Sequence, residues 1–169
     1  MPFNIRQARV EDAPTLASAE REIARTPGLL ASRPHELLDA KFAAKVAELA
    51  ASEEGRYLVA EQDGAIVGHA MFDPLALEVT RHVVALTIAV HPGWERKGVG
   101  KALLTALIEW ARAAPRVEKA ELRVRSGNLP AITLYEKMGF VEEGRMKKRI
   151  KIGPGQYLDD ITMGLWLKP

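Results

Sequence analysis

Hydrophobic and polar positions in this chain recur at two periods, and the changes from one to the other mark out its elements. Phe3, Ile5 and Gln7 alternate with Asn4, Arg6 and Ala8, which predicts a short strand. Asp12 suits a helix cap, and Leu16, Ala19 and Ile23 behind it recur at helical spacing until Thr26-Pro27-Gly28 breaks the run. Ser32 or Pro34 opens a second predicted helix, with Leu37, Leu38, Phe42, Val46 and Leu49 on one face. Strands are expected over 56–61 and 65–72, joined by the two-residue hairpin signal Asp63-Gly64 and ended by Asp73-Pro74. Residues 75–81 read as a loop.

Val83 to Val90 is a run of strand formers broken only by Thr87. It stops at His91-Pro92, because proline removes a backbone donor and restricts the residue before it. Val99, Ala102, Leu103, Ala106, Leu107, Trp110 and Ala111 then repeat at helical spacing. Pro115 separates this helix from a strand over 117–124, parallel to the preceding one by the βαβ rule. Asn128 and Pro130 start a short helix through Ile132, Leu134, Tyr135 and Met138, closed by Gly139 as a left-handed cap. The segments 140–152 and 157–167 read as strands around Gly153-Pro154-Gly155. The order β-α-α-β-β-β-α-β-α-β-β predicts a single α/β domain over 1–169, a mixed sheet with helices on both faces.

Composition narrows the chemistry. With no cysteine among 169 residues, a disulfide framework, a thiolate metal site and a cysteine acyl-enzyme are excluded. The four histidines, His35, His69, His82 and His91, lack i,i+4 ligand spacing, so no metal is expected. A net charge of +2 is too slight to imply a nucleic-acid partner, and no stretch alternates aromatic with basic residues. No segment has the apolar length of a signal peptide core or a membrane span, so a soluble cytoplasmic protein without a membrane partner is expected.

The junction after Val90 has a chemical use. A helix opens with unpartnered N–H groups at its positive end, and glycines bring those groups close to an anion. Gly93 and Gly98 punctuate the turn, and Arg96, Lys97 and Lys101 add positive charge. A nucleoside-triphosphate loop would continue with Lys and Ser/Thr after Gly98, but Val99-Gly100 stands there. A dinucleotide fingerprint would need glycine where Leu103 stands. The stretch reads as a phosphate cradle of another kind.

Two motifs identify that kind. Val90-His91-Pro92 followed by Lys97-Gly98-Val99-Gly100-Lys101-Ala102-Leu103-Leu104, and then 128–140 beginning Asn128-Leu129-Pro130-Ala131, resemble the two cofactor segments of the GNAT superfamily of acyl-CoA-dependent N-acetyltransferases. The resemblance covers nearly the whole chain. It implies a central, mostly antiparallel sheet of about seven strands, with acetyl-CoA as co-substrate. The pantetheine arm would pair with Ile88, Ala89 and Val90, and the amides of Arg96, Lys97, Gly98, Val99 and Gly100, with Lys101 beside them, would hold the pyrophosphate. Asn128 and Ala131 would orient the cofactor, and Tyr135 would stand near the thioester sulfur. Two positions depart from the family pattern. Glu95 replaces a usual Gln or Arg, and Ala85 stands where related members often carry an acidic residue.

Transfer to an amine requires loss of the amine's proton, donors for the oxyanion and a proton for the departing thiolate. Tyr135 is the expected acid. His82 and Glu78 are the candidate bases, with a water wire to a more distant carboxylate as the alternative. Asp159 and Asp160, beside Tyr157 on the last strand, are candidates for attracting a cationic amine, with one of the two carboxylates facing the acceptor. Thr26, Pro27 and Gly28 would border the acceptor site. Lys147-Lys148-Arg149-Ile150-Lys151 suits a solvent-exposed hairpin, and Trp94 a cover for the turn. The expected function is acetyl transfer to a primary amine of a small molecule or peptide. The alternative is a non-catalytic acyl-CoA-binding or partner-binding module on the same fold. The C-terminal hairpin is a candidate surface for a homodimer.

Overall fold

A computed structural model describes residues 2–169. The Asp63-Gly64 dipeptide takes positive φ at both residues, 51° and 79°, and folds β2 (Arg56–Gln62) back onto β3 (Ala65–Pro74). With β1 (Asn4–Gln7), β4 (Val83–Val90), β5 (Lys119–Arg125), β6 (Val141–Gly153) and β7 (Gln156–Trp166), they form one sheet in the order β1-β2-β3-β4-β5-β7-β6. All neighbours are antiparallel except β4 and β5.

Each face carries one helix pair. α3 (Val99–Ala113) and α4 (Leu129–Lys137) lie over Phe72, Val84, Leu86, Leu122 and Val124, with Leu103, Leu104 and Leu107 wholly buried. α1 (Ala13–Ile23) and α2 (Asp39–Ala50) cover Tyr57, Val59 and Met71 through Leu16, Val46 and Leu49. In β4 the even residues from Val84 to Val90 therefore face α3, and the odd ones face α1 and α2.

Three expected boundaries move. Pro34 opens only a 3-10 turn (Pro34–Glu36), and α2 starts at Asp39. Leu37 is drawn into the core with an extended backbone (φ −94°, ψ 90°), its carbonyl accepting from Arg21 Nη1 at 2.8 Å, so no helix runs through it. Asp12 precedes α1 without capping it. Its carboxylate accepts the Arg9 N–H at 2.8 Å and caps the 3-10 turn Val10–Asp12 instead. β3 runs through Asp73 to Pro74 opposite Val84, because a proline at a strand terminus gives up only the last donor. Among the described residues, no helix is long and apolar enough to cross a membrane.

Candidate active site

β4 and β5 pair at Val83–Lys119, Val84–Ala120 and Ala85–Glu121, and then part. The His82 carbonyl accepts from Glu118 N–H toward β5, and the Val83 carbonyl accepts from Leu75 N–H on the β3 side. Backbone groups alternate along a strand, so Ile88 and Val90 turn N–H and C=O into the open gap. Ala89 turns the same groups onto β3, opposite His69. Of the three residues expected to pair with pantetheine, two present free edges and Ala89 does not.

The gap opens onto the turn before α3. Gly98 caps α3 at φ 88°, and left-handed conformations at Gly93 and Arg96 (φ 86° and 59°) curl the turn so that N–H groups gather on its concave side. The first bond inside the helix runs from Ala102 N–H to Gly98 O at 3.0 Å. Among the described residues, the amides of Arg96, Lys97, Gly98, Val99, Gly100 and Lys101 have no backbone acceptor. Six free donors at a positive helix end suit an anion such as a phosphate group. Glu95 takes none of these six donors. Its Oε2 accepts from the Gly93 N–H at 2.9 Å on the exposed rim. Trp94 packs on the core beneath the turn, and Lys97 Nζ stands 4.6 Å above its ring.

α4 closes the other side. Asn128 caps it, Oδ1 accepting from Ala131 N–H at 3.4 Å, and Gly139 ends its last turn at φ 96°. Tyr135 is 7% exposed and rests on Phe140, with ring centroids 6.0 Å apart. Burial pushes its phenol up to about 12, against a small opposing effect of the Arg125 charge. The hydroxyl stays protonated at neutral pH and makes no hydrogen bond among the described residues.

On the opposite face, Arg125 and Asp160 stand directly across β5 and β7. Asp160 is 3% exposed, with Arg125 Nη1 at 3.8 Å and Arg149 Nε at 3.5 Å. Asp160 Oδ1 and Arg125 Nε are both buried without a hydrogen-bond partner. Asp159 points to the other side of β7, where the Lys148 amide and the Lys147 and Arg145 side chains hold it below the usual carboxylate range. Tyr157 shares that side and is exposed, so of the three candidates on β7 only Asp160 faces the side that the Thr26-Pro27-Gly28 loop approaches. The Thr26-Pro27-Gly28 loop reaches the same region. Gly28 (φ 90°) lies so close to β7 that a β-carbon there would come within 2.8 Å of Leu158 Cδ1.

His82 and Glu78 are not brought to this site. They lie at or before the start of β4; His82 is about 10 Å in strand rise from Ala85, where the gap begins, and about 26 Å from Val90. Carboxylates that the sequence reading missed flank Ala85 in register, Asp73 on β3 and Glu121 on β5. Asp73 is held by Lys45 Nζ at 2.9 Å. Glu121 stands at the last paired position before the gap, 40% exposed and 3.0 Å from Lys119 Nζ. Cross-strand registers of this kind are invisible to local spacing.

The family model described as the acetyltransferase (GNAT) family matches residues 18–140. An L-amino acid N-acetyltransferase of Escherichia coli is 38% identical over 108 residues, 64% of this chain and 66% of that protein. An N-alpha-acetyltransferase of Sulfurisphaera tokodaii is 36% identical over 115 residues, 62% of this chain and 68% of that protein. The matched stretches thus span about two thirds of these relatives' lengths. The crystal structure of a ribosomal-protein-alanine N-acetyltransferase from Brucella melitensis superposes with a TM-score of 0.83 at 30% identity, covering 97% of this chain and 99% of that one. A GNAT-family acetyltransferase structure from Streptococcus pneumoniae gives 0.88 at 27% identity, covering 98% and 99%. The fold is thus shared along nearly the full length of these solved relatives, and the chain belongs to the GNAT acetyltransferase family.

Proposed function

We propose that the protein transfers the acetyl group of acetyl-CoA to the α-amine of an amino acid, free or at a peptide terminus, by direct attack in a ternary complex. The free edge of Ile88 and Val90, leading into six unpaired amides, carries this reading. That edge matches a pantetheine arm with its two amides, and the cradle matches a pyrophosphate. As substrate, acetyl-CoA supplies an acetyl thioester. The amine nitrogen bonds to its carbonyl carbon while the carbon–sulfur bond breaks.

The chain's own groups serve the other needs of the step. A gap-facing N–H of β4 that the pantetheine arm leaves free donates to the developing oxyanion. Tyr135 Oη holds a proton for the departing sulfur. One ammonium proton passes through water toward Glu121 rather than to His82 or Glu78. The second leaves by the same water as the amide forms, and Tyr135 regains its proton from solvent. Asp160 attracts the cationic amine, and Arg125 and Arg149 suit the neighbouring carboxylate or carbonyl of an α-amino acceptor. The relatives named for L-amino acid and N-alpha acetylation share that acceptor chemistry.

Thermal unfolding with CoA, acetyl-CoA, ATP and NAD tests the donor. Ligand at 100 times its dissociation constant adds about 2.7 kcal/mol, a rise of roughly 5–10 °C at this size. Stabilisation by the two CoA species alone is expected, and no shift with either would sink the reading. Thiol release with an α-amino acid, its carboxamide and a polyamine tests the acceptor. The amino acid is expected to be preferred, and Asp160→Asn to raise its KM about tenfold without changing the KM for acetyl-CoA. Faster turnover of the polyamine would reject the α-amino assignment.

A further inference from the structure

Beneath α1 lies a chain of three buried side chains that the proposed chemistry does not use. Glu20 of α1 is 7% exposed, His69 of β3 is 0% exposed, and His91, just past β4, is 6% exposed. Glu20 Oε1 lies 2.8 Å from His69 Nε2, His69 Nδ1 lies 2.9 Å from His91 Nε2, and His91 Nδ1 lies 3.0 Å from the Ile66 carbonyl.

The proton positions follow from the partners. A carbonyl only accepts, so His91 carries a proton on Nδ1. Burial, followed by the neighbouring His69, pushes His91 down to about 4, so at neutral pH its ring is uncharged and Nε2 is a lone pair. His69 Nδ1–H therefore donates to it. The remaining contact, between His69 and Glu20, holds a single proton, as acid and imidazole or as carboxylate and imidazolium. Every ring nitrogen is satisfied in one direction only, from α1 to the Ile66 carbonyl.

The surroundings make this arrangement costly. Phe42 of α2 and Tyr57 of β2 flank His69 at 6.3 and 6.0 Å between centroids, among Leu16, Val46 and Val59. Of these neighbours only Tyr57 is titratable, and burial and the nearby Glu20 push its phenol well above the usual range. Apolar residues of similar volume would pack α1 on the sheet at least as stably. What the polar chain adds is direction, and its two ends show where it leads. His91 N–H donates to Val67 O, and His91 O accepts from Trp94 N–H at 3.0 Å, which fixes the first bend of the cradle. Beside His69, Gly68 lets Val99 of the cradle helix press onto β3, where a β-carbon would meet Val99 Cγ1 at 2.6 Å. At the other end, α1 leads to the loop at Gly28.

We infer that Glu20 and His69 are positioning residues that lock His91, and through it the amide cradle, to the helix that carries the acceptor loop. The inference rests on the reading that the cradle takes CoA. Glu20→Gln keeps a donor toward His69 Nε2, whereas Glu20→Leu and His69→Leu break the chain. The double variant Glu20→Leu/His69→Leu removes the buried polar pair altogether and is expected to fold, leaving His91 tied only to the Ile66 and Val67 carbonyls.

Calorimetric titration with CoA, steady-state kinetics and nitrogen-15 spectra of the histidine rings form the test. Wild type is expected to bind CoA and to show His91 as the Nδ1–H tautomer between about pH 6 and 8. The two single leucine variants and the double variant are expected to raise the Kd for CoA and the KM for acetyl-CoA by roughly 2- to 30-fold, with kcat at saturation within about twofold of wild type. Glu20→Gln is expected to retain wild-type affinity. A folded double variant that binds CoA like wild type overturns this proposal alone, as does a Glu20→Gln variant that is as weak as Glu20→Leu. Failure of the wild-type protein to bind CoA overturns this proposal and the acetyl-transfer reading together.

Discussion

Tyr135 illustrates how one environment sets both chemistry and pH dependence. Burial holds its phenol at about 12, above the ordinary value near 10, so the folded state keeps a proton that the unfolded chain would release. Its contribution to stability is whole below about pH 10 and is lost as pH rises toward 12. Tyr135→Phe removes a hydroxyl that has no protein partner, so unfolding at pH 8 should change by less than about 1 kcal/mol. From pH 10 to 12, denaturant titrations should show wild type losing stability that the phenylalanine variant keeps. The same substitution should lower kcat by about 10²-fold or more while leaving CoA affinity intact. Normal turnover would remove Tyr135 from the acid role. The place of this residue in the fold was legible because its motif is contiguous, from Asn128 to Phe140. Glu20, His69 and His91 were not legible as a group, because their contacts join residues 49 and 22 positions apart. The one available signal was an imidazole in the middle of an otherwise apolar strand. Glu121 was hidden likewise, because only the register of β4 against β5 places it beside Ala85.

Elements whose limits are set by local chemistry were predicted closely, and those limited by tertiary contacts were not. Asp63-Gly64, His91-Pro92 and Asn128-Leu129-Pro130 act through their own backbone, and each turn or cap forms where its residues stand. The start of α2 is decided by Arg21, far away in sequence, taking the Leu37 carbonyl. The turn before α3 belongs to the first kind, so its failure should be local too. At φ 88° Gly98→Ala has open space but a strained backbone, which costs about 1–2 kcal/mol. The midpoint of thermal unfolding should fall by roughly 2–8 °C, with a matching loss of CoA affinity. An unchanged midpoint would mean that the turn relaxes and does not need the left-handed residue. β1 is tied on by charge, since Arg6 bonds Asp12 and Glu61 at 2.7 Å each. The hydrogen bond from Arg6 holds Asp12 below the ordinary carboxylate range. That contribution is therefore present above about pH 4 and lost as acid protonates the carboxylate. Arg6→Met should be less stable than wild type at pH 7, and urea titrations should show the gap closing below pH 4.

Across the whole molecule, the sheet is two antiparallel halves joined by one short parallel contact. β1 to β4 form one half and β5, β7 and β6 the other, and only three register pairs connect them. Beyond Ala85 the halves are held by side chains of the α3 face, among them Leu103, Leu122 and Tyr135, while the backbone edges stand apart. A ligand strand in the gap would supply the missing hydrogen bonds and couple the halves. The geometry makes that testable amide by amide. Ile88 and Val90 turn their N–H groups into the gap, and Ala89 turns its own onto β3. Hydrogen exchange followed by NMR should therefore show Ile88 and Val90 slowed on adding CoA, relative to Ala89 between them. Global stabilisation alone would slow all three together, and a ligand held only by the pyrophosphate turn would protect Gly98 to Lys101 and leave β4 unchanged. Alternating protection, by contrast, requires a partner aligned along one edge of the strand. That pattern would place the pantetheine arm in the gap and make the parting of β4 from β5 the structural basis of cofactor binding.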